Sequence, residues 1–196
     1  GDTDTTYKAL SARSTGVKAP IRLQRDAAFG PDGSETRQAA FSNISIDSAH
    51  FPEGKLIFIE HLTREVIWQP HLLDHPNGAI ALAEVGFCVA DVAATSDKLQ
   101  KLLDIEWKEV MPNVARFKLP RGTIYVMNEA GMAKWTPGVT PPCIPCVSTI
   151  GFAVRDLDAT RRLLNDNGVP FTDHPYPALW IAPNYTCGPV ISFIQA

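Results

Sequence analysis

The sequence predicts an α+β protein of tandem β-α-β-β-β modules forming curved mixed sheets, with the first module lacking its opening strand. Three observations carry that prediction. First, Gly86-Phe87-Cys88-Val89-Ala90-Asp91, running into Val92, Ala94, Thr95 and Leu99, returns 65 residues later. The second occurrence is Gly151-Phe152-Ala153-Val154-Arg155-Asp156, running into Leu157, Ala159, Thr160 and Leu164. A match at fixed spacing marks one supersecondary unit used more than once. Second, in each copy an apolar strand-like stretch gives way to apolar residues at helical spacing, then to three short strand-like runs. Third, turn residues separate those runs, among them Asn113, Pro120-Arg121-Gly122 and Asn167-Gly168.

The C-terminal copy is punctuated most clearly. Residues 147–154 alternate and are rich in β-branched side chains, which suits a strand. Asp156 or Asp158 caps the helix that follows, where a carboxylate also meets the positive end of the helix dipole. Leu157, Thr160, Leu163 and Leu164 form its apolar stripe, and Asn167-Gly168 stops it. Strands are expected at 169–173, 178–182 and 189–195. The middle copy repeats this order: a strand at 81–89, a helix at 93–104, and strands at 107–110, 115–119 and 123–128.

A third copy is expected at the N-terminus. Asp2, Asp4, Thr6 and Leu10 stand where Asp156, Asp158, Thr160 and Leu164 stand in the last copy. Its helix runs to Ser14 and is closed by Gly16. Its strands are 21–26, 37–46 and 55–61, with Phe29-Gly30-Pro31-Asp32-Gly33 as a loop between the first two. No opening strand precedes this helix, so the natural protein is expected to continue upstream. The resulting organisation is a partial module at 1–72, a middle module at 79–131 and a C-terminal module at 146–196 paired with the middle one. The Pro-rich link 129–146 is expected to cross the surface.

Composition excludes several functions. A net charge of −3 offers no electrostatic footprint for nucleic acid or an anionic membrane. The longest apolar region, 78–94, is interrupted by Glu84 and Asp91, so no spanning helix is expected. No signal-peptide pattern opens the chain, and the cytoplasm is the expected compartment. Cys143 and Cys146 form a C-x-x-C with neither a second such pair nor a helix start, so they read as incidental thiols in a linker. There is no Gly-rich phosphate loop and no G-x-S-x-G nucleophile elbow.

Tandem modules at this spacing resemble the vicinal oxygen chelate superfamily, which includes glyoxalase I, bleomycin-resistance proteins and extradiol dioxygenases. The run Glu60-His61-Leu62-Thr63-Arg64-Glu65-Val66-Ile67-Trp68, followed by His75-Pro76-Asn77-Gly78-Ala79, resembles the glyoxalase-like proteins of that group. The resemblance implies paired modules around an open cup, often with one divalent metal held by His, Gln and Glu. It also implies that an odd module is completed upstream or across a homodimer.

This chain departs from the metal pattern. Glu84 and Thr149 occupy first-strand positions where a ligand His is common, and Met127, Asn128 and Ser192 stand where a last-strand Glu is expected. Two functions stay open. One is a small-molecule binding protein with a metal-free cup, the default for this chain. The other is a metal-dependent lyase, isomerase or dioxygenase with one Zn, Fe, Ni or Mn ion and His61 as its ligand. Candidate ligand-binding residues are His61, Glu60, Trp68, Glu84 and Trp180. Strand alternation sends Glu60 and His61 to opposite faces, so only one can enter a cup. Glu84 is expected to face water, since Glu is rarely buried unpaired. Glu129 is expected to end a strand in solvent, His75 and Asn77 to form a turn, and Trp107, Trp135 and Trp180 to line core or cup. His174-Pro175-Tyr176-Pro177 reads as a stiff turn able to rim a pocket.

Overall fold

The computed structural model describes residues 2–196, which divide into two compact units, 2–74 and 75–196. In the first, helix α1 (Thr3–Arg13) precedes an antiparallel sheet of β1 (Ile21–Phe29), β2 (Glu35–Ser45) and β3 (Ile57–His61), in that spatial order. Asp2 caps α1 by accepting the Asp4 N–H at 2.9 Å. Leu10 of α1 is buried, as are Ile44 and Phe51. The β1–β2 hairpin is longer than its sequence suggests. The Arg37 guanidinium sits 3.5 Å above the Phe29 ring and pairs with Glu35 at 2.9 Å, extending the ladder to Phe29↔Glu35. Gly30 and Gly33 turn the chain at φ 89° and 65°, which suits glycine. Buried Gln69 ties the hairpin end down. It accepts the Gly30 N–H at 2.8 Å and donates to the Ala28 and Val66 carbonyls at 3.0 Å. A short helix, α2 (Arg64–Ile67), follows β3.

The second unit holds both complete modules. The middle one is β4 (Ala79–Cys88), α3 (Val92–Leu103), β5 (Trp107–Met111), β6 (Val114–Leu119) and β7 (Gly122–Met127). After α4 (Glu129–Trp135), the last module is β8 (Cys146–Val154), α5 (Leu157–Asp166), β9 (Thr172–Asp173), β10 (Ala178–Ile181) and β11 (Val190–Gln195). One eight-stranded sheet runs β5-β6-β7-β4-β8-β11-β10-β9. Each module's first strand lies parallel to its last, β4 to β7 and β8 to β11, while β4 and β8 pair antiparallel at the centre. The α+β architecture of tandem modules is therefore as the sequence predicts. In the first unit, where the sequence predicts a partial module, β3 lies at the end of the sheet order, and among the described residues no strand lies on its outer edge.

Asp91 and Asp156 cap α3 and α5 by accepting N–H groups three residues on, from Ala94 and Ala159. Helix α3 lies on β5, β6 and β7 and buries Leu99 and Leu102. Leu157 and Leu164 of α5 pack with Val154, Leu179, Ile181 and Phe193. The His75–Ala79 turn is built as expected: the Gly78 N–H reaches the His75 carbonyl at 2.8 Å, and Asn77 Oδ1 accepts the Ala79 N–H at 3.1 Å. Thr160 then donates to the Asn77 carbonyl at 2.8 Å, fixing the start of β4 against α5.

Three local expectations are corrected. Residues 129–146 do not simply cross the surface, because Asn128 ends the strand and caps α4 by accepting the Gly131 N–H at 3.0 Å. Glu129 is thus the first residue of a helix, and Met132 is buried against Cys88, Val114, Met127 and Val190. Cys146 is no linker thiol: it opens β8 directly opposite the buried Cys88. Finally, 169–173 forms only the two-residue β9, since Val169 and Phe171 turn inward to pack on the α5 cluster instead of pairing.

Candidate functional site

Register defines the site. Side chains of residues directly opposite on neighbouring strands share a face. One such row runs Lys118, Thr123, Glu84, Gly151, Ser192, Trp180 across β6, β7, β4, β8, β11 and β10. The next row runs Arg116, Tyr125, Gly86, Thr149, Val190. Both belong to the face turned away from α3 and α5, here called the cup face. Helix α4 covers one end of it, with Met132 in the core and Trp135 packed on Tyr125 at 4.7 Å between ring centroids.

Glu84 is the one acid of the two rows, and the expectation that it faces water is corrected. Its side chain lies over Gly151, where a Cβ would come within 3.0 Å of the carboxyl carbon. The glycine clears the space that the carboxylate fills. Among the described residues it has neither an ion pair nor a hydrogen bond, and burial alone pushes its pKa up from 4.5 to about 6. Tyr125 and Tyr176 lie within electrostatic range of Glu84, and the phenol pKa of each is raised, chiefly by burial. Tyr176 belongs to the turn before β10 and stacks on His174 at 4.5 Å between centroids. Burial lowers the His174 pKa, and its Nε2 is enclosed without a hydrogen-bond partner. The imidazole is accordingly neutral near pH 7. Together these groups offer one half-buried carboxylate, two phenols, a neutral imidazole and an indole.

The remaining candidates lie elsewhere. Trp180 shares the row of Glu84 but stands three strands away, about 14 Å at ~4.8 Å per strand, and is buried in the core. In the first unit, Glu60 pairs with Ser42 and His61 with Phe41, so the two point to opposite faces, as alternation requires. Glu60 is occupied: it accepts from Thr3 N at 2.9 Å and Thr3 Oγ1 at 2.7 Å, and these bonds lower its pKa. It lines a concavity of about 370 Å³ with Asp2, Asp4 and Arg22. His61 is exposed and sits edge-on to Phe41 at 5.2 Å and Trp68 at 6.4 Å, while Arg64 lies 4.5 Å above Trp68. These contacts form an aromatic cluster on an open face.

The donor set does not fit a catalytic metal. Counting the His174 imidazole beside the two rows, the site supplies one carboxylate, one imidazole, hydroxyls and phenols, and among the described residues no third His, Cys, Asp or Glu joins them, where borderline cations want several such donors. No three His, Cys, Asp or Glu side chains among the described residues converge around His61 either.

No protein-family model matches the chain. No curated protein matches it either. Among solved structures, a hypothetical protein from Staphylococcus aureus aligns over 100% of this chain with a TM-score of 0.64 and 11% identity. The chain spans 63% of that protein's length. The parallel β4–β7 and β8–β11 pairs flanking an antiparallel β4–β8 centre complete the pattern. The fold is the vicinal oxygen chelate fold. Other structures similar in fold are the methylmalonyl-CoA epimerases of Mycobacterium tuberculosis and Streptomyces coelicolor. The former shares 21% identity over 60% of this chain and 89% of its own, at TM-score 0.46. The latter, a single-residue variant solved with 2-nitronate-propionyl-CoA, shares 17% over 60% of this chain and 98% of its own, at TM-score 0.42. At these TM-scores neither epimerase carries an argument about this chain. On that fold, Tyr125 is the residue that sequence reading missed. Alternation along 122–127 already puts Thr123, Tyr125 and Met127 on one face, but only the β4–β7 register sets Tyr125 beside Glu84.

Proposed function

We propose that the cup face of the second unit binds a small organic molecule between Glu84, Tyr125, Tyr176 and Trp135. A single observation carries this reading: a half-buried carboxylate with no hydrogen-bond or ion-pair partner among the described residues, near the phenols of Tyr125 and Tyr176. Such a group costs folding free energy and is retained where a ligand supplies what the protein withholds. A carboxyl group with its pKa near 6 also exchanges a proton readily near neutral pH, which supports a second reading, acid–base turnover of the bound molecule at Glu84. A fragment screen by two-dimensional amide NMR on the intact chain tests the first reading. Hits are expected to move the amides of β4, β7 and the 174–177 turn together, and to weaken in Glu84→Ala. A screen whose hits all map to the first unit, or that yields none, overturns it.

A further inference from the structure

Resting on the reading that this face takes a small molecule, we infer that the molecule is an organic cation, with its ammonium or amidinium group on Glu84 between aromatic rings. The choice of sign follows from what each charged group lacks. Glu84 is half-buried and unpaired, so a ligand charge there recovers solvation that folding removed. Arg116, one row over beside Tyr125, is exposed and keeps its water, so an anion gains little from it. Lys118 stands in the row of Glu84 but two strands away, on β6, and is exposed too. Towards Glu84, β8 and β11 present only Gly151, Thr149 and Ser192, none of them charged. The turn before β10 adds Tyr176 and the neutral His174.

The surroundings match a cation in a second way. Tyr125 stands one row from Glu84 on the neighbouring strand and packs against Trp135, and Tyr176 lies within electrostatic range of both Tyr125 and Glu84. Ring faces attract a desolvated ammonium and give an anion nothing. A carboxylate with aromatic side chains near it therefore suits positive charge and apolar bulk together.

The test uses three probes on the intact chain, followed by amide NMR and calorimetry: benzyltrimethylammonium, the neutral 3,3-dimethylbutan-1-ol, and benzoate. Saturable binding of the ammonium at β4, β7 and the 174–177 turn is expected, at least about tenfold tighter than either other probe, a difference of about 1.4 kcal/mol. Glu84→Gln keeps shape and removes charge, so it should erase that preference. Tyr176→Leu, in an exposed turn, should weaken the ammonium several-fold while leaving the Glu84 contact. Proton competition at Glu84 should weaken binding about tenfold between about pH 7.5 and about pH 5. If the alcohol or benzoate binds this face as tightly as the ammonium, the cation inference fails while the small-molecule reading stands. If no probe moves the face, the cation inference fails, and the fragment screen decides the broader reading separately. Should Glu84→Gln not fold, an ammonium affinity unchanged by both Tyr176→Leu and pH overturns the inference.

Discussion

Glu84 shows how one residue's environment sets its cost. Its pKa in the folded chain, about 6, lies above the ordinary 4.5, so burial of the carboxyl costs nothing below pH 4.5. The penalty grows as pH rises through that window and levels off above it, reaching about 2 kcal/mol. Glu84→Gln, which occupies the same space over Gly151, is expected to stabilise the chain by up to about 2 kcal/mol at pH 8 and by almost nothing at pH 4.5. Urea unfolding of both proteins at the two pH values checks this, and an equal difference at both contradicts the assignment. The residue stands out in the sequence, because a lone acid on an apolar strand is unusual. Its direction does not, since the rarity of buried Glu argues for solvent. The bulge between the Leu82 and Glu84 pairings shifts the alternation that such a reading relies on.

Among the helices and strands, the Asp caps and the central glycines do distinct work. Asp91 and Asp156 each satisfy an otherwise unpaired N–H at a helix start. Replacing either by Ala is expected to cost about 1 kcal/mol, read as a lowered urea midpoint with an unchanged slope. Gly86 lies opposite Thr149, where β4 and β8 approach at the centre of the sheet. A Cβ there would collide with the Thr149 hydroxyl and come within 3.2 Å of Met127 Cε. Gly86→Ala should therefore cost about 1–3 kcal/mol, and the double change with Thr149→Ala should recover part of it. Additive losses in that cycle would show that the two side chains do not meet. The capping signals are plain in the sequence because a cap is a local bond. Helix α4 is not, since Glu129–Trp135 is only 7 residues long and owes its place to Met132 fitting between β4, β6 and β7.

Over the full chain, each of the two units carries its own sheet and its own buried apolar residues, Leu10, Ile44 and Phe51 in the first and the clusters around Met132 and Leu179 in the second. A fragment of residues 75–196 is expected to fold alone, giving a dispersed amide spectrum and one cooperative unfolding transition. The first unit exposes Ile21, Leu23, Ile57 and Ile59 on one sheet face, and β3 carries Ile59 on an edge that no strand pairs with among the described residues. Such an edge invites pairing between molecules. Ile59→Lys should reduce concentration-dependent light scattering without lowering stability, because a side chain 50% exposed gives up little burial.

Module order, both complete β-α-β-β-β units, the capping residues and the inability of Glu60 and His61 to share a face can all be read without coordinates. These follow from periodicity and from bonds between residues a few positions apart. Which residues converge is a property of the folded sheet. Glu84 and Gly151 are 67 positions apart, and Tyr176 lies further along still, yet strand register and one turn bring them together. Register between distant strands is settled by packing across the whole sheet, with bulges at its centre, and no local pattern encodes it.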